Sequence, residues 1–139
     1  MKILLKLIKI VIVSSIIIRA LKIKLIKKNI KFDKLPKIMM PNTNKLNSLK
    51  KYNITAHWFY YWINKVVKIL DKNNCLTKTM LLYYYLNSYI DNNFNLNIGI
   101  TKKNGTLSGH SWIEYQGKIL FDELLKSPEK NEYIEVLKF

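Results

Sequence analysis

The stretch NCLTKTMLLYYYLNSYIDNNFNLNIGITKKNGTLSGHSWIEYQGKILFDE, residues 74–123, decides the fold of this chain. Apolar residues recur at helical spacing over residues 76–90, after a polar break that offers several N-caps. The pattern then becomes a strict alternation, which predicts a strand at 94–100. Asn-Gly and Gln-Gly turn pairs separate two further predicted strands, 109–114 and 118–122. A helix followed by adjacent hairpins predicts an α+β fold with a small antiparallel sheet.

Three side chains in this stretch form a candidate reactive set. Cys75 is the sole cysteine and opens the predicted helix, His110 lies in a predicted strand, and Asp122 ends the next one. The positive end of the helix dipole and a nearby imidazolium both favour the thiolate form of a cysteine. A thiolate, an imidazole and a carboxylate are the nucleophile, base and orienting group of a catalytic triad.

The loop between the last two strands decides whether His110 and Asp122 meet. A two-residue loop at Gln116-Gly117 would place Asp122 opposite Ser111. A three-residue loop, with glycine at its last and left-handed position, pairs Glu114 with Lys118 and places Asp122 opposite His110. We expect the three-residue loop. Backbone N–H groups at the start of the helix are the expected oxyanion donors.

Residues 2–28 are the most apolar part of the chain and predict an amphipathic helix. Their longest run without a charge, 10–18, is too short for a membrane-spanning helix, and no small-residue cleavage site follows it. The predicted core-facing stripe is Leu4, Leu7, Ile8, Val11, Ile18 and Leu25. We expect this stripe to pack on the core, and contact with a membrane surface is the alternative.

The remaining segments predict scaffold. Residues 29–52 have no sustained period and predict a surface connection, whereas 54–70 predict a helix with an aromatic core face. His57 has no acidic or cysteine neighbour at ligand spacing and is interpreted as structural. The alternation in 133–139 predicts an edge strand.

Length and composition indicate one domain over residues 1–139, with a helix and connection at 1–50 and the reactive core at 54–139. The net charge of +15 comes with excess lysine, asparagine and isoleucine, as base-composition bias alone can produce. One arginine and no zinc-finger or RNP-type pattern argue against nucleic-acid binding. A lone thiol suits a reducing cytoplasm.

A family resemblance rests on the reactive residues and their neighbours. The chain is similar to the transglutaminase-like cysteine peptidases that mature lasso peptides, whose motif runs close to C-L, I-G-V and A-H-A-W-V-E-x-D-G-x-x-x-x-D. The matching positions here are Cys75, Leu76, Ile98, Gly99, Ile100, His110, Trp112, Glu114, Gly117 and Asp122. Gly109 and Ser111 stand where alanine is usual, and Gln116 where aspartate is common. The arginines and prolines frequent before the cysteine are missing.

The resemblance implies a transglutaminase-like, papain-like core in which Cys75 is the nucleophile, His110 the base and acid, and Asp122 the orienting carboxylate. It implies a leader peptidase without cofactor or metal that cleaves a ribosomally made precursor for a lasso cyclase. Residues 1–50 are too few to hold the leader-recognition module, so a separate recognition protein is expected. The alternatives are an acyltransferase with the same triad, and a non-catalytic module that binds peptides or membrane surfaces.

Overall fold

The computed structural model describes residues 1–121 and 134–139. The α+β class predicted from the sequence is confirmed, because helices come first and an antiparallel sheet follows. The elements in the described residues are α1 (Lys2–Ile26), α2 (Leu35–Ile38), α3 (Ala56–Leu70), α4 (Cys75–Tyr89), β1 (Phe94–Lys103), β2 (Thr106–Tyr115), β3 (Lys118–Leu120) and β4 (Ile134–Lys138). The predicted surface connection at 29–52 contains α2, a single turn, and short 3-10 turns.

Helix α4 is the centre of the fold. Most of its residues are buried, since α1 and α3 pack on one side of it and β1 and β2 on the other. A helix covered on several sides needs apolar residues around most of its circumference, which explains its weak amphipathicity. The Phe59 ring of α3 stacks 5.4 Å from Tyr85 and 5.8 Å from Tyr89 of α4. The helix predicted at 54–70 is therefore confirmed, but its predicted core face of Trp58, Tyr61, Trp62, Val66 and Leu70 is largely wrong. The buried residues are Phe59, Ile63, Val66 and Val67, whereas Trp58, Trp62 and Leu70 are partly buried and Tyr61 is exposed.

The described strands form one antiparallel sheet in the order β3-β2-β1-β4. Strands β1 and β2 are joined by the Asn104-Gly105 turn, whose two residues have φ angles of 49° and 81°. Positive φ at both positions matches the right-handed twist of a hairpin, and Asn-Gly tolerates it best. Strand β4 pairs with β1 at the edge of the sheet, as the alternation in the tail predicts.

The predicted three-residue loop between β2 and β3 is wrong. The structure pairs Tyr115 with Lys118 and Glu114 with Ile119, so the loop consists of Gln116 and Gly117 alone. Both residues adopt positive φ, 51° and 75°, which is the backbone of a two-residue hairpin turn. Phe121 then has a φ of 58°, and the strand pairing ends at Leu120. Cross-strand register therefore does not fix the position of Asp122, which lies outside the described residues.

Helix α1 is confirmed, but its predicted core face is wrong. The face turned to the core consists of Ile12, Ile16, Ala20 and Ile23, with Ile8 partly buried beside them. The other members of the predicted stripe, Leu4, Leu7, Val11, Ile18 and Leu25, are 52–72% exposed. Isoleucine on both sides of the helix makes the two stripes similar in composition, so the sequence pattern does not distinguish them. Among the described residues no helix has the length and apolar character needed to cross a membrane.

Candidate active site at the start of helix α4

Cys75 is the first residue of α4, directly after its N-cap. The Asn74 side chain accepts a hydrogen bond from the Thr77 N–H at 3.1 Å and so fixes the first turn. Residues at the start of a helix have no intrahelical acceptor for their N–H groups. The N–H groups of Cys75 and Leu76, which were expected to be oxyanion donors, therefore have no acceptor within the helix.

His110 and Ser111 of β2 lie against the Cys75 thiol, and they change its acidity. Burial by itself would raise the pKa of the thiol. The hydrogen bond and positive charge of the His110 imidazole, together with hydrogen bonds from the Ser111 backbone and hydroxyl, outweigh burial. The pKa of Cys75 falls from its ordinary value of 9.0 to about 7. Much of the thiol is therefore thiolate near neutral pH, the form that acts as a nucleophile.

Thr79 connects the first turn of α4 to β2. Its hydroxyl lies 2.7 Å from the Ser111 hydroxyl and 2.9 Å from the Cys75 carbonyl oxygen. Thr79 and Ser111 are both buried, so this polar contact is shielded from water. The contact holds the start of the helix and the His110–Ser111 segment of the strand at a fixed separation.

A second polar cluster ties the end of α1 to the same region. The Lys27 ammonium and the Thr77 hydroxyl both donate to the Asp71 carboxylate, which precedes α4. The side chains of the Lys27–Asp71 ion pair are only 15% and 11% exposed. Because this ion pair is largely shielded from water and has the Thr77 hydroxyl as an additional donor, it fixes how the end of α1 lies against the start of α4.

Two clefts meet at Cys75 and His110. The first, here called the apolar cleft, encloses ≈ 590 Å³ and takes its apolar lining from Leu76, Ile98, Ile100 and Leu137. The second, here called the aromatic cleft, encloses ≈ 480 Å³ and includes Tyr60, Trp112, Phe121, Asn73 and Lys78. Cys75, His110 and Ser111 line both clefts. An extended chain lying across both clefts would therefore pass over the thiol.

The ring of Phe121 closes one side of the aromatic cleft against α3. It stacks on Tyr60 at 4.6 Å and meets the His57 ring edge-to-face at 5.4 Å. His57 is exposed and is not among the residues that line the two clefts. Phe121 is the last described residue before Asp122, and its ring anchors the chain at this point.

The structure brings two of the three predicted site residues together, Cys75 and His110. The third, Asp122, lies outside the described residues, and the two-residue loop at Gln116-Gly117 does not give the register that was predicted to pair it with His110. Its assignment rests on the sequence resemblance alone.

Sequence reasoning did not identify Ser111, Thr79 and Lys27 as parts of the site. Ser111 carried one usable signal, because it is a small polar residue between His110 and the apolar pair Trp112-Ile113. Thr79 is one helical turn from Cys75 and could have been considered on that ground. Nothing in the local pattern of α1 indicates that Lys27 reaches this region, since its partner Asp71 is 44 residues away.

Within residues 1–121 and 134–139, no cluster of three or more His, Cys, Asp or Glu side chains is arranged to bind a metal ion. Comparison of the chain with protein-family models, with curated proteins and with solved structures finds no match.

Proposed function

We propose that this protein is a cysteine peptidase of transglutaminase-like fold that removes the leader from a ribosomally made lasso peptide precursor. The observation that carries the proposal is the contact of His110 with a thiol at a helix N-terminus, where the pKa of Cys75 falls to about 7. A buried structural cysteine has the opposite tendency, because burial alone raises its pKa. The motif resemblance supplies the peptidase class and the substrate class.

In the proposed reaction the Cys75 thiolate attacks the carbonyl carbon of the scissile peptide bond. The N–H groups of Cys75 and Leu76 stabilise the negative charge on the carbonyl oxygen. His110 then donates its proton to the leaving nitrogen, the C–N bond breaks, and a thioester to Cys75 remains. A water molecule deprotonated by His110 hydrolyses the thioester and restores the thiol. Asp122 is proposed to orient the imidazole throughout.

The two clefts support a peptide as the substrate. Peptide residues on either side of the scissile bond would occupy the apolar and aromatic clefts, which meet at the thiol. The hydrophobic lining of the apolar cleft, with Ile98, Ile100 and Leu137, suits an apolar side chain. The proposed partners are a separate leader-recognition protein and a lasso cyclase, in the cytoplasm, where a lone thiol stays reduced.

The test is mass spectrometry of the precursor after incubation with the protein and its leader-recognition protein. The proposal expects free leader and core peptide from the wild type, and neither from Cys75→Ala. The buried neighbours of Cys75 tolerate this small reduction in volume, so Cys75→Ala should remain folded. Asp122→Asn should retain a small residual activity, since it favours the wrong imidazole tautomer.

Two other results would replace the proposal with its alternatives. A product joined to an added amine, without released leader, would identify an acyltransferase, because the thioester would then react with the amine in place of water. Wild-type cleavage by Cys75→Ala would remove the thiol from the reaction, and a non-catalytic binding module would become the better account.

A further inference from the structure

Helix α1 has a second apolar face that no other described element covers. Leu4, Leu7, Val11, Ile18, Leu21 and Leu25 lie along it, and each of them is at least 42% exposed. Ile3, Ile10 and Ile17 widen the same side. At 1.5 Å per residue the face runs roughly 30 Å from Leu4 to Leu25. Exposed Ser14 is the polar residue within this otherwise apolar face. A largely apolar surface of this length on a helix marks an interaction site.

The charges of α1 indicate what this face contacts. The helix carries six basic residues, Lys2, Lys6, Lys9, Arg19, Lys22 and Lys24, and no acidic residue. Arg19 contacts Tyr84 and Lys24 donates to the Leu70 carbonyl oxygen, so the basic residues that remain for an external partner are Lys2, Lys6, Lys9 and Lys22. Helical geometry places Lys2, Lys6 and Lys9 together along one margin of the exposed face, with Lys22 at the other margin. Long lysine side chains at such margins reach polar headgroups while the apolar side chains between them enter the acyl region.

A second copy of the chain fits this face poorly. Two copies of α1 packed through it would bring basic margins together without any acidic residue from either helix. An anionic lipid surface supplies the missing negative charge, and the net charge of +15 adds long-range attraction to it.

We propose that the exposed face of α1 docks the folded protein on an anionic membrane surface, with the helix lying in the plane of the interface. The opposite face, Ile12, Ile16, Ala20 and Ile23, remains in the protein core during docking. This proposal is independent of the peptidase assignment, because none of the α1 residues that it uses lines either cleft.

The experiment is co-sedimentation of the full chain with vesicles of phosphatidylcholine, with and without phosphatidylglycerol. Wild-type protein should bind the anionic vesicles, and high salt should weaken this binding because it screens the lysines. The triple variant Val11→Gln, Ile18→Gln, Leu25→Gln should reduce the partition coefficient by about tenfold or more, since three apolar side chains no longer enter the bilayer.

The matched control is Leu107→Gln, which removes an apolar side chain that is 70% exposed in β2, away from α1. It should bind vesicles like the wild type, and circular dichroism should show both variants folded. Equal binding of wild type and triple variant, equal binding to neutral vesicles, or no binding at low salt would each overturn the proposal. So would a wild-type dimer in solution that the triple variant converts to monomer, because the face would then be a protein interface.

Discussion

At the scale of single residues, the acidity of the Cys75 thiol is the property that the site controls most directly. Its lowered pKa depends on His110, whose hydrogen bond and charge oppose the effect of burial. Thiolate reacts with alkylating reagents and thiol does not, so alkylation must rise with pH through the pKa.

We predict that the rate of alkylation of Cys75 by iodoacetamide rises with a midpoint near pH 7, as the pKa of about 7 requires. In His110→Ala the midpoint should move up toward or beyond the ordinary thiol value of 9.0, since burial still raises the pKa and the imidazole no longer lowers it. The exposed His57 provides the matched control, and His57→Ala should leave the midpoint unchanged. A wild-type midpoint near 9.0 would contradict the described contact.

Ser111 gives a second, smaller effect on the same thiol. Ser111→Ala removes the hydroxyl that acts on Cys75 but keeps the backbone N–H. The Thr79 hydroxyl retains the Cys75 carbonyl as an acceptor, so no buried donor is left unsatisfied. We predict a rise of the alkylation midpoint that is smaller than in His110→Ala, with at most about a tenfold loss of rate at neutral pH.

Ser108→Ala, at an exposed position of β2, is the control for Ser111→Ala and should behave as the wild type. If the alkylation midpoint of Ser111→Ala equals that of the wild type, the Ser111 hydroxyl does not lower the pKa of Cys75 and contributes to packing only.

At the scale of elements, the sequence predicted those features that depend on local backbone preference. The start of α4 follows from the capping side chain of Asn74, and the first hairpin follows from Asn104-Gly105, whose residues accept positive φ. The second hairpin was mispredicted because Gln116 has no such preference, yet its φ is 51°. There the pairing of whole strands determines the backbone of one residue, which local pattern does not reveal.

The face of α1 is the clearest case in which tertiary contacts decide. Ile16 is fully buried and Ile18 is 66% exposed, although the two residues are identical and two positions apart. Periodicity identified the helix but not its orientation, because apolar residues occupy both sides. The sequence paired Cys75 with His110 through their residue types, as the nucleophile and base of a triad, and not through a predicted register. The contributions of Thr79 and Lys27 require the packed structure.

We predict that Ile16→Ala lowers the free energy of unfolding by about 2–5 kcal/mol, because it leaves a cavity in the core. Ile18→Ala should change it by no more than about 0.5 kcal/mol, as is usual for exposed positions. Urea denaturation of Ile16→Ala and Ile18→Ala measures the two losses, and the variants are comparable because they carry the same substitution in the same helix. An equal loss of unfolding free energy in both variants, or a larger loss in Ile18→Ala, would contradict the described core face of α1 and favour the face predicted from the sequence.

At the scale of the whole molecule, α1 is part of the scaffold. Its buried residues share one hydrophobic cluster with α3, α4 and β1, and the Lys27–Asp71 pair ties its end to the start of α4. The segment from α1 to α3 contains only short helical turns in the described structure. Residues 1–55 therefore do not form a winged-helix module for leader capture, and the proposed function places leader recognition outside these residues.

The last prediction is that the chain alone cleaves its precursor slowly and that a leader-binding protein accelerates the reaction. Holding the leader near the clefts converts the encounter with the scissile bond into an intramolecular event, for which effective concentrations in the millimolar range are typical of short linkers. The measurement is the cleavage rate with and without the leader-binding protein, at precursor concentrations well below millimolar. A precursor shortened so that it lacks the leader segment bound by that protein is the control, and its slow cleavage should not respond to the protein. Equal rates for the full precursor would mean that this chain recognises the leader itself, and α3 near the half-buried Trp58 and Trp62 would then be the first surface to mutate.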